Sequence, residues 1–159
     1  YNAPWQGGFG TSLAYKGISL SANFSWVADR WMFNNDRFFE ESNGLYTAFN
    51  QSKRLLYDRW KKPGDVTDIP RYGITPQMDS RFLEDASFLR LKNLMLSYTI
   101  PQNWLKKTRF FTNARVYAQG QNLLTFTKFS GMDPESFSNM YQAQYPMSRQ
   151  YSFGLELSF

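Results

Sequence analysis

The chain has 159 residues and a formal net charge of +5, with no cysteine and no histidine. It therefore carries no disulfide framework and no thiolate chemistry, and it lacks the commonest metal ligand and the usual general base, so no catalytic centre, metal or cofactor is expected. Aromatic residues make up 19% of it, the mean hydropathy is -0.54, and no run approaches the roughly 20 apolar residues of a spanning helix. A helical membrane protein is excluded; a membrane barrel, whose strands alternate and average to near-polar, is not.

The first element is the hairpin GGFGTSLAYKGISLSANFSWVA. Phe9, Thr11, Leu13 and Tyr15 share one face, Lys16-Gly17 supplies a tight turn, and Ile18, Leu20, Ala22, Phe24, Trp26 and Ala28 then alternate with small polar residues. From Asp29 to about Ser80 the period is lost. Charges of both signs, Asn, Gly and Pro mix there with Trp31, Phe33, Tyr46, Trp60 and Tyr72. A connection of that length holds short helices or acts as a functional loop. RLLYDRWKK mixes basic and aromatic residues, but acids lie close by throughout and no nucleic-acid partner is expected.

Alternation returns in ASFLRLKNLMLSYTIP, where Leu94, Leu96, Tyr98 and Ile100 oppose Asn93, Met95, Ser97 and Thr99 until Pro101 stops the strand. PQNWLKKTR reads as a short turn with one helical turn. FFTNARVYAQGQNLLTFTKF is a long strand with Ala114, Val116, Ala118 and Gly120 opposite Arg115, Tyr117, Gln119 and Gln121. A second loop leads to YSFGLELSF, in which Tyr151, Phe153, Leu155, Leu157 and Phe159 alternate with small or polar residues.

Five strands result, joined alternately by short turns and long loops. That segregation is the habit of outer-membrane barrels, which have short periplasmic turns and long extracellular loops. The expected fold is all-β: antiparallel strands forming the C-terminal part, about five strands, of a large transmembrane β-barrel. Residues 29–86 and 129–148 are then extracellular loops, and Gly17 and 101–109 face the periplasm. Leu20, Phe24, Leu96, Leu155 and Leu157 are expected to face outer-membrane lipid, with Ser21, Ser97 and Glu156 in the lumen. Ser152, Gly154, Leu157 and Phe159 fit polar-x-Gly-x-x-apolar-x-aromatic, the form of a barrel assembly signal; the plain alternative is an ordinary edge strand. Because the chain opens on YNAPWQGG with no leader ahead of Tyr1, it reads as a processed or partial piece.

RFLEDASFLRLKNLMLSYTIP, RVYAQGQNLLTFTKFSGMDPE and the final YSFGLELSF, with PWQGGFGTSLAYKGISLSANFSW before them, resemble the C-terminal end of SusC/RagA-type TonB-dependent transporters. The resemblance covers 1–28 and 81–159, apart from 137–148, which like the loop between the two stretches follow no family pattern. It implies a barrel of about 22 strands with an N-terminal plug, neither the plug nor the TonB box lying within these residues. It also implies active import of bulky nutrients, glycans or peptides, across a bacterial outer membrane, energised through TonB, with a SusD-like surface lipoprotein as lid and the barrel assembly machinery as a partner. A passive porin-type barrel and a soluble carbohydrate-binding β-sandwich are the alternatives; no feature supports an enzyme.

Candidate contact residues lie in the loops. Trp31, Phe33, Tyr46, Trp60 and Tyr72 stack on substrate or lid, or else hold the loop together. Gly131-Met132-Asp133-Pro134-Glu135 is a rigid turn fixed by Pro134 and capped by Asp133, or else a calcium or ligand site built from its paired carboxylates and loop carbonyls; Met132 and Asp133 are candidate contacts with substrate or lid. Glu84 and Asp85 are expected to form lumenal ion pairs with Arg81 and Arg90, and Trp26 and Trp104 to sit in aromatic girdles.

Overall fold

Two successive residues with positive φ, Lys16 at 47° and Gly17 at 85°, close the first hairpin, the geometry that matches the twist of paired strands. A Cβ at Gly17 would meet the Thr99 carbonyl at 2.8 Å, so this turn needs glycine. The computed structural model describes residues 3–106 and 110–159. Tyr1 and the 107–109 portion of the expected turn lie outside the described residues.

In chain order the elements are β1 (Trp5–Tyr15), β2 (Ile18–Ala28), β3 (Trp31–Asn34), α1 (Asn35–Glu40), α2 (Arg54–Tyr57), a 3-10 turn (Ser80–Phe82) and β4 (Leu83–Asp85). There follow β5 (Phe88–Thr99), α3 (Gln102–Leu105), β6 (Asn113–Thr127), β7 (Met140–Tyr141) and β8 (Gln150–Ser158). They divide between two compact units.

One unit, Pro4–Ala28, Phe88–Thr127 and Met147–Phe159, is a five-stranded sheet of order β1-β2-β5-β6-β8, antiparallel throughout. Directly paired residues share a face, so register decides what each face presents. Leu13, Leu20, Leu96, Ala118 and Phe153 form one cross-strand row, and Ala14, Ser19, Ser97, Tyr117 and Gly154 form the next. One face is apolar from edge to edge and the other polar. The polar face is tied together by side chains: Arg115 donates to the Ser97 hydroxyl at 3.1 Å and pairs with Glu156 at 3.6 Å, and Gln119 donates to Asn93 at 3.0 Å.

A bulge preserves this division. The register of β5 shifts between Leu91 and Asn93, leaving Lys92 as the extra residue. Without it, strict alternation back from Leu94 would put Arg90 among the apolar residues. With it, Leu89 and Leu91 join Leu94 and Leu96 opposite Phe126 and Leu124, while Arg90 pairs with Thr125 on the polar side. β6 is irregular at the same level, with Asn122 at φ of 52°, but keeps its phase, Gly120 and Leu124 both pairing with apolar-face leucines of β5.

The other unit, Asp29–Ser87 with Lys128–Pro146, is built from the two chain segments that showed no period. Beyond the helical turns, it contains a strand set that sequence reasoning did not expect: a three-stranded sheet of order β4-β3-β7, with β3 antiparallel to β4 and parallel to β7. Strands of two to four residues are too short to show a period. Packing holds them instead. Met32, Ala86, Phe129 and Tyr141 are buried together, and Phe38 meets Phe82 edge-on at 5.4 Å. Asn34 caps α1 by accepting the Arg37 N–H at 3.0 Å.

Candidate functional site

Within this second unit, α1 borders a cavity of about 420 Å³ that also takes walls from Ser130, Met132 and Tyr141. Two arginines brace it. Arg37 donates through Nε to Glu41 Oε1 at 3.0 Å, and through its terminal nitrogens to the Arg81 carbonyl, Glu84 and Asp68. Arg54 donates to the same Glu41 oxygen at 2.7 Å and to both oxygens of Asp68. Arg37 and Glu41 meet because they are four apart on a helical turn.

Glu84 joins this network through Ser130 and Arg37. Its Oε2 accepts the Ser130 N–H at 2.9 Å, and its Oε1 accepts the Ser130 hydroxyl. Burial works to raise its pKa, but Ser130 and Arg37 outweigh burial and hold the carboxyl below the usual range. Asp68 is likewise held low, with Arg54 and Arg37 overcoming its burial. Glu40 goes the other way: burial pushes it up, and the neighbouring Asp36 and Glu41 charges add to the effect. The cavity is thus anionic on its α1 side.

The expected contact residues are distributed through this unit. Met132 lines the cavity and is exposed, whereas Asp133 is buried and accepts the Glu135 N–H at 2.9 Å, a local cap within the turn. Phe33 and Tyr46 both pack on Phe38. Trp31 is partly exposed and donates to Asp29; Trp60 is fixed through its backbone N–H to the Ile69 carbonyl. Tyr72 lies under Arg59 at 5.5 Å and against Gly44. Only Met132 of the seven lines this cavity. Glu84 does form an ion pair, with Arg37 at 3.1 Å rather than as expected from its neighbours in sequence, and Asp85 accepts the Ser87 N–H. Sequence reasoning passed over Asn34, Arg37, Glu41, Arg54 and Tyr141. The one available signal was the i,i+4 pair Arg37 and Glu41 in RFFEE.

In β8, Ser152 pairs with Gln119, Gly154 with Tyr117 and Leu157 with Ala114. Phe159 follows the strand, its ring 5.8 Å from that of Phe111, beside the Thr112 N–H donated to the Ser158 carbonyl.

No protein-family model matches the chain. It is 32% identical over 165 residues to TonB-dependent receptor P3 of Formosa agariphila, across 96% of the chain and 16% of that receptor. It is 37% identical over 82 residues to TonB-dependent receptor SusC of Bacteroides thetaiotaomicron, across 52% of the chain and 8% of SusC. Among solved structures, the RagAB peptide importer in its open-open state matches with a TM-score of 0.88 and 45% identity, covering 97% of this chain and 17% of the importer chain. The chain belongs to the SusC/RagA-type TonB-dependent receptors. It spans about a sixth of the length of receptor P3 and of the importer chain. As a SusC/RagA segment, its five-stranded sheet is part of an outer-membrane β-barrel, and its two-faced register is what a barrel wall requires. No helix among the described residues is long and apolar enough to cross a membrane.

Proposed function

We propose that this chain is barrel wall and surface loop of an active importer of bulky nutrients, glycans or peptides, energised through TonB and working with a SusD-like surface lipoprotein. The observation that carries the proposal is the 45% identity, over nearly the whole chain, to a protein described as a peptide importer; that likeness favours peptides. In this reading the apolar face, with Leu20, Phe24, Leu96, Leu155 and Leu157, meets lipid, and Ser21, Ser97 and Glu156 line the lumen. Residues 29–86 and 129–148 face the cell exterior, and Gly17 and 101–109 the periplasm. Trp31, Phe33, Tyr46, Trp60, Tyr72, Met132 and Asp133 belong to the surface that meets substrate or lid. Ser152, Gly154, Leu157 and Phe159 form the signal read by the barrel assembly machinery.

The test is uptake of labelled oligopeptides by cells carrying the full-length receptor, with and without TonB. Accumulation that depends on both supports active import. Accumulation that persists without TonB makes the protein a passive pore and overturns the proposal.

A further inference from the structure

We propose that the end of the large sheet carrying its short turns, around Lys16 and Lys106, binds the headgroup phosphate of anionic phospholipids in the periplasmic leaflet. The proposal rests on the topology that puts Gly17 and 101–109 at the periplasm, and it adds which lipid that rim selects.

Charge is the first observation. The unit of Pro4–Ala28, Phe88–Thr127 and Met147–Phe159 holds eight lysines and arginines against one acidic side chain, Glu156. Glu156 pairs with Arg115 at 3.6 Å, in the same cross-strand row as Thr99 and so on the polar face. This unit therefore sets no carboxylate side chain on the apolar side of its sheet. Four of the eight basic residues, Lys16, Lys106, Lys107 and Arg109, fall in sequence in the two short connections, β1 to β2 and β5 to β6. The two connections adjoin, because the Thr99 N–H donates to the Gly17 carbonyl at 2.8 Å.

Side-chain placement is the second observation. Tyr15, Ile18, Tyr98, Val116 and Leu155 make the last apolar row that crosses all five strands before the turns. The Lys16 Nζ lies 5.1 Å over the Tyr15 ring, a cation–π contact that holds the ammonium at the border of the apolar face. Trp104 is exposed in α3, with exposed Lys106 two residues on. A ring and then an ammonium, where an apolar surface ends, follow the order of acyl chain and phosphate in a leaflet. Positive charge with no acid beside it favours an anionic lipid over a zwitterionic one, whose own cation competes for the phosphate. An acidic protein fits less well, since Lys16 stands on the side of the sheet turned to lipid.

The experiment is photocrosslinking of the full-length receptor in phosphatidylcholine nanodiscs. The probes are phosphatidylglycerol and phosphatidylcholine with the same diazirine near the glycerol backbone, at equal mole fraction, and crosslinked peptides are identified by mass spectrometry. Phosphatidylglycerol should exceed phosphatidylcholine at 13–18 and 102–106 by at least roughly fivefold, the share of one lysine near an anionic surface. High salt should shrink the excess. Lys16→Gln with Lys106→Gln should remove most of it, and Lys16→Arg with Lys106→Arg should keep it. Equal crosslinking of the two lipids, or an excess unchanged in the glutamine pair, overturns the proposal. An acyl-chain diazirine lipid separates this site from the topology beneath it. If that lipid labels Leu20 and Leu96 while headgroup selectivity is absent, the lipid-facing sheet stands and the site falls. If it labels neither, the lipid-facing assignment is wrong and the proposal falls with it.

Discussion

The ring of Tyr117 in β6 lies over Gly154 in β8, on the polar face of the sheet. A Cβ at residue 154 would fall inside that ring, against its Cζ, hydroxyl and Cε1. Gly154 is therefore a packing requirement of the β6–β8 pair as well as part of the terminal pattern. Gly154→Ala must move the ring, an overpacking change worth roughly 1–3 kcal/mol. We expect the folded fraction of the full-length receptor to fall in a urea titration, and to recover substantially when Tyr117→Ala is added. Equal effects of Gly154→Ala in both backgrounds would leave the glycine as a recognition element only.

The register makes a second prediction. Leu20 and Ser21 are adjacent in β2 but lie on opposite faces, paired with Leu96 and Met95. A basic residue facing lipid at mid-membrane costs roughly 2–4 kcal/mol, and one facing the lumen far less. Leu20→Arg should sharply reduce folded barrel after insertion into liposomes, while Ser21→Arg should be tolerated. Indistinguishable yields would mean that the faces are assigned the wrong way round.

Topology can be checked on intact cells. Val66 is fully exposed in the long segment between β3 and β4, and Gln102 opens α3 beyond β5. Single cysteines at these two positions should differ in reaction with an impermeant maleimide, Val66→Cys labelling and Gln102→Cys not. Labelling of Gln102→Cys alone would invert the barrel in the membrane.

The charge network around the cavity gives a pH dependence of defined sign. Glu84 and Asp68 are both held below the ordinary carboxylate range in the folded unit. Their contribution is therefore present above the unfolded value, near pH 4, and lost as pH falls through the lower folded values. Hydrogen exchange over residues 34–41 and 81–85 should be flat from pH 7 to about 5, after correction for intrinsic rates, and rise on further acidification. Glu84→Gln should flatten much of that acid response. An unchanged acid response in Glu84→Gln would show that other carboxylates govern the unit.

How much of this was legible follows from element length. The strands of the large sheet run nine residues or more, long enough for a period of two to show through Leu20, Leu96 and Leu155. The bulge is legible too: Leu89 and Leu91 are out of step with Leu94 and Leu96, and Lys92 is the residue between. The small unit was not legible. Its strands are two to four residues long, and the parallel pairing of β3 with β7 joins Phe33 to Met140, far apart in sequence. The cavity depends on that pairing, because α1 follows β3 directly and Tyr141 lies in β7. Arg37 and Glu41 are local and readable; that Glu84 and Ser130 would meet Arg37's side of the cavity is tertiary information.

The end of the chain separates two roles that sequence alone could not. Phe159 sits where an assembly signal would place its aromatic, and its ring also leans on Phe111 at 5.8 Å with the planes 38° apart. Removing Phe159 deletes one largely exposed ring, worth by area at most roughly 1.5–3 kcal/mol, which a large barrel should survive once assembled. Phe111→Ala removes the same ring contact and leaves the terminus intact. If recognition is the main role, deleting Phe159 should cut the amount of inserted receptor several-fold, while the inserted fraction melts near the wild-type temperature. Phe111→Ala should then insert at nearly wild-type levels. If instead Phe111→Ala and the deletion lower insertion equally, or both insert normally and melt early, the Phe111–Phe159 contact is what the terminal aromatic supplies, and the signal role for Phe159 falls.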